Sequence, residues 1–265
     1  MVKGLYTAYT GMVNEQRRLD VLSNNLANSN TTGFKKEQLV PQSFKDELAI
    51  KIKDTSYAGG IPRGIGDVTL GVKVGEVFTD WSSGSFKVTD TASDVAIAGQ
   101  GFFAIEFQNK AGQTSIMYTR DGAFTVNRDG YFVTSDGDFL LNSNGALNSQ
   151  QGQYVQINPN LDYSIDQLGN VYQNNQIVAQ IGVVDVENYD SLEKYGENLY
   201  TLMDGGQIIP STATVEQGCL ESSNINVVDE MVDMITIARA YEAGQKMIQT
   251  VDSTLEKAVN QVGKV

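Results

Sequence analysis

A chain of 265 residues is long enough for about two domains, and with 41% hydrophobic residues it can bury at least one sizeable core. Its 32 acidic against 19 basic side chains leave a net charge of −13, so no basic surface is on offer to nucleic acid. Histidine is absent and cysteine occurs once, as Cys219, which excludes Ser–His–Asp and Cys–His catalysis, an intramolecular disulfide and a conventional zinc site.

In chain order, Leu5, Ala8, Met12, Leu19, Leu22 and Leu26 recur in steps of three and four, with Glu15 the misfit, and predict an N-terminal helix. The opening MVKGLYTAYTGMVNEQRRLD has polar residues where a signal peptide carries its apolar run. No stretch approaches the roughly 18 apolar residues of a membrane span. The expectation is a chain that stays in the cytosol or is exported without a cleaved signal. Asn24, Asn25, Asn28 and Asn30 crowd the end of this helix, although asparagine amides compete with helical backbone bonds. Gly33 is a candidate stop, and Pro41 argues against an unbroken continuation.

SFKDELAIKIK at 43–53 suits a helix or a strand, and the five glycines of 55–71 read as an extended loop. Gly64-Ile65-Gly66 lacks the strand-then-helix context and the Gly-Lys-Ser/Thr of a nucleotide loop. From Val72 the apolar period becomes two, in GVKVGEVFTDW, SDVAIAG and GFFAIEF. Asp-Gly pairs at 121–122, 129–130 and 136–137 predict consecutive tight hairpins. They lack the D-x-D-x-D-G series of a calcium loop, so turn chemistry explains them better. QIVAQIGVVDV and YGENLYTLMDGG extend the β pattern. Cys219 reads as a buried, inert thiol.

The last predicted element is a helix. Val227, Met231, Met234, Ala238, Tyr241, Ile248, Leu255, Val259 and Val262 keep a strict heptad, with Gln245 and Asp252 at its two polar positions. Ser223 and Asn224 are N-cap candidates, and Asp229 and Glu230 favour the dipole of the first turn. The fold class is therefore α+β: discontinuous, coiled-coil-like terminal helices bracketing an antiparallel all-β domain. The expected division is a helical assembly domain at 1–33 and 222–265, connecting segments at 34–82 and 190–221, and a β domain at 83–189.

LDVLSNNLANSNTTGFKKE at 19–37 resembles the N-terminal signature of the bacterial flagellar basal-body rod and hook proteins. LESSNINVVDEMVDMITIARAYEAGQKMIQTVDSTLEKAVN at 220–260 resembles their C-terminal motif, and DVAIAGQGFFAIEF with YTRDGAFTVNRDGYFVTSDGDFLL resembles their β domain. Length and the TRDG–NRDG–TSDG block look most like the distal-rod members, with proximal-rod members close. The resemblance implies a non-enzymatic subunit without cofactor or metal, located in the flagellar basal body. It implies export by the flagellar type III apparatus, helical self-assembly into a torque-transmitting tube, and contacts with neighbouring rod and hook subunits. The positions it singles out as assembly contacts are Leu19, Leu22, Asn25, Leu26 and Asn28 at one end and Met231, Met234, Ala238, Tyr241 and Ile248 at the other. On this reading the asparagine amides bond between neighbouring helices of the packed tube, fixing register, and leave the lone helix weak.

Two other classes remain on the sequence alone. A cell-wall hydrolase would need two carboxylates facing each other across a cleft, whereas the acidic residues here sit in turns and on helix faces. A secreted adhesin would keep its function after loss of both terminal helices.

Overall fold

The computed structural model describes residues 2–51, 63–109, 112–196 and 198–262. The chain divides into two compact units, one made of Met1–Ala27, Glu37–Asp80 and Asn226–Val265, the other of Asn28–Lys36 and Trp81–Ile225. The segment expected as a connector at 34–82 is thus shared: 37–80 groups with the helices, and 34–36 and 81–82 with the β unit, which also takes 28–33, expected with the helices, and 190–221.

In the β unit, Phe102–Gln108 lies inside a nine-stranded antiparallel sheet. It pairs with Thr114–Thr119 and Phe139–Leu140, and with Val183–Val186 near its start. Because side chains alternate along a strand, this one element supplies two cores. Phe103 and Ile105 pack with Met117, Phe124, Phe132 and Leu140, while Phe102 and Ala104 pack with Tyr118, Val184 and Tyr200. Trp81, the single tryptophan, closes the second core, its ring 5.4 Å from Phe102 and edge-on to it. Each such side chain contributes roughly 1.5–3 kcal/mol on burial.

The hairpin expectation holds at two of the three Asp-Gly pairs. Gly130 N–H donates to Asn127 O, and Gly137 N–H to Thr134 O, closing the turns that join Thr125–Val126, Phe132–Val133 and Phe139–Leu140. Asp121-Gly122 is different. Its backbone crosses the Val95–Ala98 strand, where Val95 N–H donates to Gly122 O at 3.0 Å, and Asp121 accepts from Thr32 Oγ1 at 2.6 Å. Cys219 is half-buried, less enclosed than expected, in a short strand paired with Phe86–Val88.

In the other unit, α1 (Val2–Ala27) and α3 (Val227–Lys257) run antiparallel; α2 (Ser143–Asn148) is a short helix of the β unit. Between α1 and the β unit the chain forms a long antiparallel ladder. Glu37–Leu39 pairs with Val77–Thr79, Gln42–Ser43 with Val72–Lys73, and Glu47–Lys51 with Arg63–Val68. The ambiguous 43–53 segment is therefore strand over Glu47–Lys51. Pairing also begins earlier than the period suggested, since Arg63–Val68 lies inside the stretch read as loop; residues 55–62 of that stretch lie outside the described residues. The ladder docks on α1 through Tyr6 and Phe44, whose rings are 6.1 Å apart, and through Thr7 Oγ1 donating to Leu70 O. At Gly71, φ is +139° and a Cβ would strike the Thr10 hydroxyl, so only glycine fits the contact.

Two boundary expectations are corrected. The N-cap of α3 is Asn226, whose side chain accepts from Val228 N–H at 3.1 Å and donates to Asp229 at 2.7 Å. Asn224 instead accepts from Lys36 N–H and donates to Ser82 O. Helix α1 ends at Ala27, six residues before Gly33. Gly33 is required for a different reason: at φ +68°, a Cβ would fall inside the Arg120–Asp121 peptide. Gly33→Ala is expected to cost about 3 kcal/mol or more, from steric overlap and left-handed strain together, measurable as a lowered denaturation midpoint. None of the described helices is long and apolar enough to cross a membrane.

Candidate assembly interface

The terminal helices meet along a seam whose register is fixed at two points. Asn25 sits beside Glu230, its Nδ2 donating to Oε2 at 3.3 Å. Thirteen residues earlier, Met12 faces Gly244, where a Cβ would come within 2.7 Å of Met12 Cγ. The absence of a side chain at Gly244 is what lets the two helices approach there. Leu22 and Ile237 are buried on this seam, and Met234 and Ile248 are half-buried.

Asparagine at position 25 now has a physical reason. Its Nδ2 donates to Glu37 O at 2.8 Å, and Glu37 N–H donates back to Oδ1 at 3.1 Å. One amide thus stands in for a β-bridge partner and ties the last turn of α1 to the start of the ladder. Within the single chain the amide also reaches the neighbouring helix, through Glu230. Asn25→Ala would strand the Glu37 peptide groups and one side of Glu230 in a buried site. A loss of about 2 kcal/mol is expected, read by urea denaturation, with faster amide exchange over 37–39.

Of the other positions singled out from sequence, Leu19 and Leu26 are half-buried and Asn28 is buried. Asn28 accepts from Thr31 Oγ1 at 3.1 Å, shaping the turn after α1. Ala238 is half-buried and Tyr241 stands at the seam's edge. Met231 is 51% exposed and does not join the seam. The seam within the chain uses Glu230, Ile237 and Gly244, one residue before the heptad positions 231, 238 and 245. Sequence reasoning missed Glu230 and Gly244 because an acidic residue and a glycine do not announce themselves as core positions, and it passed over Ile237 because the heptad ran through Ala238.

The displaced set is informative. Val228 (68% exposed), Met231 (51%), Val232 (57%) and Ile235 (53%) form a second apolar face of α3. It lies roughly 160° around the helix from Glu230 and Ile237 at 100° per residue. α3 is therefore apolar on two sides, and α1 covers one of them.

The β unit carries its own fixture where the chain enters and leaves it. Glu221, fully buried, accepts from Lys35 Nζ at 2.7 Å and from Arg120 Nη1 at 3.1 Å, and also from Gly84 N–H at 2.9 Å. Lys35 Nζ donates further to Ser82 O, and Arg120 Nη2 to Gly99 O. One carboxylate thus joins the segments around Lys35, Gly84 and Glu221, each close in sequence to a crossing between the two units. Burial of such charges is tolerable only because nearly every lone pair and proton is used. Phe34, fully buried beside this cluster in sequence, has Lys194 Nζ 4.2 Å from its ring centre. Elsewhere in the β unit, burial and the Asp185 carboxylate at 2.7 Å push the Tyr189 hydroxyl above the ordinary phenol range, so it stays a donor.

Comparison with known proteins gives the same family at both ends and in the middle. Residues 5–35 match the family described as flagella basal body rod protein, residues 96–186 the D1 domain of flagellar hook protein FlgE/F/G, and residues 216–262 the C-terminal region of flagellar basal body rod FlgEFG protein. The chain is 33% identical to the flagellar hook-basal body complex protein FlhO of Bacillus subtilis (strain 168), over 100% of both chains. It is 34% identical to the flagellar basal-body rod protein FlgG of the same organism, over 98% of this chain and 99% of the relative. The flagellar basal-body rod protein FlgF of Caulobacter vibrioides is 33% identical over 100% of both.

Proposed function

The chain belongs to the flagellar basal-body rod and hook protein family, whose members are structural components of the basal body and not enzymes, and from that premise we propose that it polymerises with copies of itself through its terminal helices. The observation that carries this reading is the second apolar face of α3 at Val228, Met231, Val232 and Ile235, exposed in the single chain. A helix needs one apolar stripe to pack on its own fold. A second stripe on the same helix is what a subunit needs to pack on its neighbours.

The finer assignment we make is the distal rod, supported by the likeness of the TRDG–NRDG–TSDG block to distal-rod members. The proximal rod is the second reading, because the opening MVKGLYTAYTGM and the TDWSSGSFKVTDTASD stretch fit either kind of member. Export in an unfolded state by the flagellar apparatus suits the wiring of α1. Its final turn needs Glu37 and also Glu230, which stands 205 residues further along the chain. The asparagines lower intrinsic helicity by up to about 0.7 kcal/mol each relative to alanine, so the segment has little reason to form before that partner arrives.

Photocrosslinking in cells tests the proposal, with a photoreactive residue in place of Gln245 on the exposed side of α3. The expected result is a ladder of self-adducts that disappears when flagellar export is blocked. Monomer alone in exporting cells would contradict self-assembly.

A further inference from the structure

The β unit carries an uncharged cleft lined by residues of that unit alone. It has a volume of about 550 Å³ and lies between the edge strand Gln176–Gln180 and the segments around Asn142–Asn144 and Tyr154–Gln156. In a chain of net charge −13, residues 139–161 and 167–184 contain no charged side chain, and these two stretches supply the whole lining. The side chains lining the cleft are therefore all uncharged, on an acidic protein.

Its chemistry is that of amides. Asn144, Gln156, Asn170 and Gln180 line it. The side chains of Asn144 and Asn170 have no hydrogen-bond partner among the described residues, and Gln156 and Gln180 use only their Nε2 atoms, at 3.3 Å each. Each amide offers a donor and an acceptor at fixed spacing, which matches adjacent hydroxyls that also donate and accept. Tyr154 donates its hydroxyl to Glu106 at 3.1 Å, so it contributes its ring to the cleft wall. Ile177 and Val178, 59% and 49% exposed, add an apolar patch beside it.

We propose that this cleft binds a neutral oligosaccharide, with the amides of Asn144, Gln156, Asn170 and Gln180 bonding ring hydroxyls and Tyr154, Ile177 and Val178 covering the C–H faces. The volume suits about two or three sugar rings. An added peptide strand is the alternative occupant, because Gln176–Gln180 is a sheet edge. The edge argues against it: its pairing with Asn170–Gln173 is irregular, shifting register around Val178, and such a bulge breaks the regular spacing an incoming strand would need.

The test uses the full-length chain labelled with nitrogen-15, following side-chain amide signals during titration. The probes are cellotriose, triacetylchitotriose, the anionic trigalacturonate and an uncharged pentapeptide. The expected result is a saturable shift of Asn144, Gln156, Asn170 and Gln180 with a neutral trisaccharide and none with trigalacturonate. Asn144→Ala with Asn170→Ala should weaken that binding by roughly tenfold, the worth of two modest hydrogen bonds. Gln156→Ala, at an exposed position, serves as the second variant should the first pair disturb folding. Absence of a saturable shift with either neutral sugar, shifts outside the cleft, or affinity unchanged in both variants would overturn the proposal. Saturation by the peptide alone would assign the cleft to a strand and overturn it equally.

Discussion

Glu221→Gln is expected to lower the stability of the β unit by about 3–5 kcal/mol, because it removes the carboxylate that two buried cations share. The amide keeps the shape of the carboxylate but not its charge. Lys35 and Arg120 would then face each other across a neutral group in a site almost without water. Lys35→Met should cost less, since the Arg120–Glu221 pair survives it at 3.1 Å. Chemical denaturation followed by the fluorescence of Trp81 gives both values directly, because the single tryptophan packs in the same unit. The predicted order is Glu221→Gln below Lys35→Met below wild type. Equal midpoints for Glu221→Gln and wild type would mean that the cluster contributes nothing to holding the chain segments together.

Met231→Glu with Ile235→Glu is expected to abolish polymerisation while leaving the single chain folded. Both side chains are about half exposed in the monomer, where surface substitutions usually change stability by no more than about 0.5 kcal/mol. In a polymer the same positions would be buried against a neighbour, and an unpaired carboxylate there costs several kcal/mol at every contact. Sedimentation should show only monomer, with an unchanged urea midpoint. Polymers of normal length from the double variant would remove this face from the assembly account.

Much of this molecule was legible in the sequence. The three- and four-residue steps from Leu5 to Leu26 gave α1, the heptad gave α3, and the alternation around Phe102–Gln108 gave the sheet that holds both cores. The flagellar signature at 19–37 was also readable, but its division was not. Leu22 and Asn25 belong to the helix pair, whereas Thr32, Gly33 and Lys35 are set into the β unit, and no local periodicity marks the change at Ala27. The heptad marked half of the seam within the chain, at Met234 and Ile248, and missed the other half by one residue. VVDEMVDMITIA is so rich in apolar residues that stripes through 230–237 and 231–235 both fit, and only the docking of α1 decides between them. The ion cluster was invisible for a simpler reason: Lys35, Arg120 and Glu221 are far apart in sequence and meet only after folding.

Oxidation of the methionines by dilute peroxide, located by mass spectrometry in monomer and in polymer, is the most direct test of the second apolar face. Met231 is open in the single chain, while Met234 is turned toward the seam with α1, and thioether oxidation follows exposure. Met231 is expected to oxidise readily in the monomer and to become protected on assembly, with Met234 slow in both. Equal oxidation of Met231 in monomer and polymer would show that this face stays in solvent, and that copies of the chain join elsewhere.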